Sequence, residues 1–476
     1  MLTGLSIVAL NGSAAVAGIL LAQKFGRGAE TDGFMAAYGV YLVLVLGAQA
    51  FRNAVVPELT RAAAEGRLGA ETRAYGAALA LPAIVLSAVT ISLAGPLGDA
   101  ITGALPEPAP SLASDALRWL VPAACAQVLA GLAASALAAR SSYGVAALAY
   151  TLGSVAGLGL FVALADEHGL VALAWGTALN GAITLGLPLA VLGARGELAG
   201  GRAALELVAR LRRFGESAAV PLALQVLYLI CLFLAAGIEV GAVTTFSYAY
   251  LLAATLVATT AGALALVTSA PLTRRGMDAA AAAAYVVHAS WLCLVPIAAA
   301  AGALALAGEQ IVSALLGDAY GGAVGADLGR LVVEFAPWMV AALAQTLTFP
   351  LVFVAGRTRG LAPLALAALV FHVAAALALR EVLGLPGLAF ALALSTVVVA
   401  VALMLRVSPR LPARAAAGLA RPVLVVGAAS AAASGLAGLA LDGVPAAALG
   451  LGGYALALAV LRPSGLREAW AHLRAL

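Results

Sequence analysis

Arg52, Arg118, Arg330 and Glu334 stand within, or at the mouths of, long apolar runs. A charge in such a setting is expensive. It faces a cavity or a partner, or its long stem carries it to the nearest interface. Arg52 sits beside Asn53 near the end of its run, where both readings stay open. Arg118 and Arg330 precede Pro122 and Pro337, where they either flank the mouth of a cavity or anchor the chain at an interface. Glu334 follows Arg330 by four residues, so both share one helix face. The acid either neutralises that arginine or holds a coupling cation or proton. Asn11, Gln127, Asn180, Gln225 and Gln345 add neutral polar groups that bond between helices or line a path.

Other chemistries lack their residues. His288 and His372 are isolated, with no cysteine or carboxylate at ligand spacing, so no metal is expected. Cys125, Cys231 and Cys293 lie in apolar runs and read as small core residues. G-x-x-x-x-G-K-[ST] is absent, so no ATPase is expected in the chain. Neither G-x-S-x-G nor H-E-x-x-H occurs, and no residue set supports bond cleavage. The chain therefore reads as a non-enzyme without a cofactor.

The elements holding these residues follow from composition. Of 476 residues, 64% are hydrophobic and only 10% charged, with a mean hydropathy of +1.06. A soluble domain carries about 25% charged residues, so lipid is the main solvent here. A spanning helix needs about 20 apolar residues. Such runs fall near 2–22, 33–57, 73–95, 115–138, 145–165, 169–192, 214–236, 243–270, 279–306, 327–355, 361–379, 387–406, 422–441 and 444–461. The expected fold is an all-α polytopic membrane protein of about 14 transmembrane helices. Residues 1–22 lack a basic n-region and an A-x-A-like site before Gln23, and read as a retained first helix.

Arginines set the orientation. Arg61, Arg67 and Arg73, the set from Arg195 to Arg213, Arg274 and Arg275, the set from Arg406 to Arg421, and Arg462, Arg467 and Arg474 all fall on one side. Glu30, Asp32, Asp99, Glu107, Asp166 and Glu309 fall on the other. The positive-inside rule then places both termini in the cytoplasm. It also explains the pI of 9.1 without a nucleic-acid partner.

The chain repeats itself. Phe34-x-x-Ala37-Tyr38 recurs as Phe246-x-x-Ala249-Tyr250, Pro57 as Pro271, Pro122 as Pro337, and residues 169–179 as 384–394, at offsets of 212, 214, 215 and 215. Two six-helix lobes are expected, 1–212 and 213–408, followed by 409–476 with two further helices and a cytoplasmic tail. Six is even, so the repeat is parallel, and transporters place substrate between such halves. Pro122 and Pro337 either bend paired helices for a rocking motion or form static kinks.

The stretch "FGRGAETDGFMAAY" (25–38), followed by "AFRNAVVPEL" (50–59), resembles the opening of MurJ/MviN-type lipid II flippases. Phe25, Gly26, Gly28, Thr31, Asp32, Phe34 and Ala37, then Ala50, Phe51, Asn53, Ala54, Val56, Pro57 and Leu59, carry the likeness. The resemblance implies a six-plus-six-plus-two helix fold in a bacterial inner membrane. It implies alternating access for a polyprenyl-diphosphate-linked envelope precursor, with membrane lipids and envelope-synthesis enzymes as further partners. Arg52 and Asn53 would meet the diphosphate from the inner side, with Asn11, Gln225, Arg118 and Arg330 along the path. Gly26 and Gly28 would let the outer turn reverse, and Thr31-Asp32 would cap the second helix.

The family also carries first-helix arginines; those positions here are Asn11 and Ala17, and the arginine expected in the eighth helix is Leu251. Two alternatives follow. One is a non-transporting scaffold for envelope synthesis, favoured by those missing arginines. The other is a cation-coupled small-molecule antiporter, which would use an acid in the first-lobe spans, where none occurs.

Overall fold

The computed structural model describes residues 2–475 apart from 141, 200–202, 263, 265–278, 358–359 and 462. Among the described residues the chain is helical, with no strand. Lipid offers no partner for backbone N–H and C=O groups, so each apolar run must satisfy them within itself. The helices are α1 (Leu2–Phe25), α2 (Ala29–Ala64), α3 (Leu68–Ser92), α4 (Ala94–Thr102), α5 (Ala109–Ala139), α6 (Tyr143–His168), α7 (Val171–Ala194), α8 (Leu207–Ala235) and α9 (Ala242–Val257). Then come α10 (Ala279–Leu316), α11 (Gly322–Glu334), α12 (Ala336–Val354), α13 (Leu361–Leu383), α14 (Leu385–Val407), α15 (Leu411–Ala440), α16 (Gly443–Leu461) and α17 (Ser464–Ala475).

Among the described residues, 11 helices are long and apolar enough to cross a membrane, or 12 with the bent pair α11–α12 taken as one span. α1 and α2 coincide with the first two expected spans, so the fold agrees with about fourteen.

Several boundaries differ. The expected helix 327–355 is broken by a 41° bend between α11 and α12. Pro337 follows the break; it lacks an N–H, and its ring crowds the carbonyl of Val333. Pro122 by contrast lies inside the continuous α5. α10 continues past residue 306 through a non-helical Ala307 (φ −128°, ψ 25°). α4 is an extra, short helix. α9 ends in a π turn, Ala258–Gly262, and the remainder of the expected span to 270 lies largely outside the described residues.

The chain forms two compact units. The first comprises Met1–Thr244 with Gly360–Ala365. In it α5 packs between α2 and α7, and α6 lies along α7. Leu59, Leu79, Leu132, Leu137 and Leu192 form a buried cluster, whereas Leu81, Ile84 and Val85 of α3 face outward, as a lipid-contacting face should. The second comprises Thr245–Arg359 with Leu366–Leu476. There α12 packs on α14, and α10 on α11, α15 and α16. Ser430 donates to the Ala298 carbonyl at 2.7 Å and Tyr454 to that of Val295 at 3.1 Å, polar bonds between helices that suit an apolar solvent.

α6 and α7 touch through Gly157 and Gly176. A Cβ on Gly157 would stand 2.4 Å from the Gly176 carbonyl oxygen, and one on Gly176 would stand 2.3 Å from that of Gly157. Gly157→Leu should therefore lower the stability of the detergent-solubilised protein by about 1–3 kcal/mol, the usual cost of overpacking. Gly159→Leu, where a Cβ meets nothing within 4 Å, should leave it unchanged. Thermal unfolding of both variants checks this.

Candidate functional site

The first unit concentrates its family-like motif at one turn. Asp32 is fully buried, with 0% exposure. Its Oδ2 accepts the Gly241 N–H at 2.5 Å, and its Oδ1 accepts the Thr244 N–H at 2.8 Å and the Thr244 hydroxyl at 2.5 Å. Gly241 immediately precedes α9 and Thr244 is its third residue. The carboxylate thus satisfies orphan donors at the start of α9 and sits at the positive end of its dipole.

The expectation that Thr31-Asp32 caps α2 is therefore corrected. Asp32 is the fourth residue of α2, its own N–H already bonded to the Gly28 carbonyl. The cap position of α2 is Gly28, which has no side chain to offer, and Thr31 Oγ1 makes no hydrogen bond among the described residues.

Arg27 completes the clasp. Its Nε donates to the Gly241 carbonyl at 3.2 Å and its Nη2 pairs with Glu239 at 2.5 Å. Gly241 has φ +88°, and a Cβ there would lie 2.3 Å from Arg27 Nε, so glycine is required on both counts. Gly26 turns the chain with φ +64°. Gly28 is extended, and a Cβ on it would meet nothing. Asp32–Thr244 and Arg27–Glu239 are both separated by 212 residues, the offset that relates Phe34 to Phe246. Sequence reasoning singled out Asp32 but missed the pairing of Arg27, Glu239 and Thr244; the 212-residue offset between Phe34 and Phe246 is the signal that could have found them.

The other candidates do not converge on this turn. Arg118 pairs with Asp115 at 3.1 Å and Arg330 with Asp327 at 3.5 Å, each within its own helix and exposed. Glu334 ends α11 at the bend; Arg330 pairs with Asp327 and also acts electrostatically on Glu334. Gln127 and Gln345 are buried in α5 and α12. Asn180 in α7 packs its Oδ1 against Gly153 of α6. Gln225 lies in α8. His372 is buried and bonds Ser395 at 2.9 Å, a link between α13 and α14. The side chains of Asn11, Arg52, Asn53 and Pro57 lie outside the described residues. Among the described residues no group of three or more His, Cys, Asp or Glu could hold a metal ion.

A second charged cluster was not anticipated. Arg210, 6% exposed, pairs with Glu71 at 2.7 Å, donates to the carbonyls of Ala204 and Leu205, and lies 4.2 Å over the Tyr75 ring. The Tyr75 hydroxyl donates to Glu58, and Arg67 pairs with Glu65 and Glu71. These groups line a polar cavity of about 310 Å³. They pin the segment before α8 onto α3, with Glu206 held at φ +38°. In sequence Arg210 was one member of an arginine-rich loop, 139 residues from its acid, and no local pattern distinguished it.

Asp32→Ala would leave the Gly241 and Thr244 N–H groups without their acceptor. The expected loss is about 0.5–2 kcal/mol for a cap. Asp32→Asn, which keeps an acceptor oxygen, should lose less. Thermal unfolding, with hydrogen exchange at the start of α9, is the measurement.

Comparison with known proteins gives the same lineage. A structure described as the lipid II flippase MurJ in an inward closed conformation superposes with a TM-score of 0.69 at 12% identity, covering 97% of this chain and 99% of that one. An inward-facing multidrug resistance MATE transporter of the MOP superfamily gives 0.67 at 18% identity, covering 86% and 95%. A MOP superfamily transporter from Pyrococcus furiosus gives 0.60 at 17% identity, covering 87% and 94%. These likenesses establish the fold. A comparison with curated protein sequences finds no match. The family model of the lipid II flippase MurJ matches residues 21–445, which is most of the chain, and the protein therefore belongs to the MurJ lipid II flippase family, a family of membrane transporters.

Proposed function

We propose that the chain moves a polyprenyl-diphosphate-linked envelope precursor across a bacterial inner membrane by alternating access, with both termini cytoplasmic. That it is a flippase for a lipid II-like substrate follows from its family; the family match over residues 21–445 is the observation that carries the reading. Mechanism, site and setting are the proposal. A diphosphate bearing sugars is too polar to cross hydrocarbon unaided. The head crosses along a hydrated path while the polyprenyl tail stays in lipid. Rocking changes the face that is open, and no covalent bond is made or broken.

Arg52 with Asn53 meets the diphosphate on the inner side, since arginine binds such a group through paired, charge-assisted bonds. Asn11 and Gln225 line the path. Arg118 and Arg330 receive the head on the outer side. Their present ion pairs with Asp115 and Asp327 are exposed, and exposed pairs contribute about 0–1 kcal/mol, so a phosphate displaces them at little cost. Glu334, at the bend between α11 and α12, is the coupling-ion candidate. Missing arginines at Asn11 and Ala17 favour one second reading, a scaffold that assembles envelope-synthesis enzymes.

Depletion of the protein in its host, with lipid-linked precursors labelled from each membrane face, separates the two. A flippase leaves precursors on the inner face. If they cross normally and only partner enzymes mislocalise, transport is excluded. In the same assay Arg52→Ala should reduce transport about tenfold or more, the scale of a lost charge-assisted bond. Arg52→Lys should retain part, and unchanged transport in Arg52→Ala would remove this residue from the site.

A further inference from the structure

α17 carries an arrangement that transport does not use. It starts at Ser464, three residues after α16 ends at Leu461. Three residues span at most about 10 Å, so α17 begins at the membrane boundary where α16 leaves it. Its buried side is small: Ala469 is fully covered, and Gly465 lies so close to α10 that a Cβ would stand 2.5 Å from the Trp291 ring. The rest of its surface carries Arg467 and Glu468, both exposed, and Trp470, 53% exposed. An exposed tryptophan on a short amphipathic helix beside a span is the usual composition of an interfacial helix.

Between α16 and α17 runs a groove of about 380 Å³ lined by Leu458, Pro463, Leu466 and Arg467. Three of its four lining residues are apolar. The fourth, Arg467, makes no ion pair among the described residues. Arg421 of α15 reaches the first residue of α17, next to the groove-lining Pro463, donating to Ser464 Oγ at 3.3 Å. At that end of the second unit, α15 also carries Arg414, exposed and seven residues before Arg421, which puts both on one face two turns apart. Glu468 follows Arg467 and points about 100° away around the helix. An apolar slot with cations at its rim, set at a membrane boundary, is complementary to an acyl chain joined to a negative headgroup.

We propose that this groove binds one anionic phospholipid of the inner leaflet, its phosphate held by Arg467 and Arg421 and an acyl chain lying on Leu458, Pro463 and Leu466. α17 packs on α10, so the lipid would tie the tail of the chain to the core of the second unit. The proposal concerns binding alone and is independent of the transport reading.

The test uses the purified full-length protein, delipidated in mild detergent and titrated with phosphatidylglycerol or phosphatidylcholine bearing brominated acyl chains. The Trp470 signal is the difference in quenching between wild type and Trp470→Phe. Phosphatidylglycerol should quench at a midpoint well below that of phosphatidylcholine. Loss of each arginine should raise it roughly fivefold, the attraction of one surface basic residue to an anionic leaflet. Arg421→Gln/Arg467→Gln should bring the two lipids together. Arg195→Gln, removing an exposed arginine of the first unit, should change nothing. Equal midpoints for both lipids in wild type overturn the proposal. So does an unchanged midpoint in the double variant, given a circular dichroism spectrum and gel-filtration profile that match wild type. Should the double variant fail to fold, Arg467→Gln alone decides between the same two outcomes.

Discussion

In hydrocarbon an apolar side chain gains almost nothing by leaving lipid for another helix. What holds this chain together is therefore the distance to which backbones approach and the few polar groups that must find partners. Gly157 against Gly176 shows the first effect: two carbonyls lie where any side chain would block contact. Ser430, Tyr454 and His372 show the second, each bonding another helix or its side chains. The most concentrated case is Asp32, a buried carboxylate that three donors of one turn surround. Such a charge is tolerable only because every donor is supplied by a helix start that needed an acceptor.

Much of the architecture was legible because the solvent dictates it. About 20 apolar residues are needed to cross a bilayer, and the arginine bias marks one side, so the spans could be read without side-chain packing. What failed depended on neighbours. Pro122 and Pro337 are the same residue at repeat-equivalent places, yet one lies inside an unbroken helix and the other follows a 41° bend. Proline removes a hydrogen bond in both; surrounding helices decide whether the chain straightens over the gap. α4 and α17 were missed because neither is long and apolar enough to register as a span. The Arg210 cluster was missed because an arginine between two apolar runs looks the same whether it stays in solvent or pairs with Glu71.

The charge distribution also divides the labour. Arg67, Arg118 and Arg330 pair with acids close by in sequence, whereas Arg27, Arg210 and Arg421 reach segments far along the chain. Family membership rests on a match over most of the chain, while residues that family likeness would place in the first helix are Asn11 and Ala17. The lineage is thus written in the turn and the helix frame more than in the charges of the path.

The clasp between residues 27–32 and 239–244 has a consequence for the order in which the chain can be put together. Its two sides lie 212 residues apart in sequence, so during synthesis the carboxylate of Asp32 is made long before Gly241 and Thr244, the residues that donate to it. The turn before α2 reaches its final bonding only when the start of α9 arrives, which ties the placement of the second helix to that of the ninth.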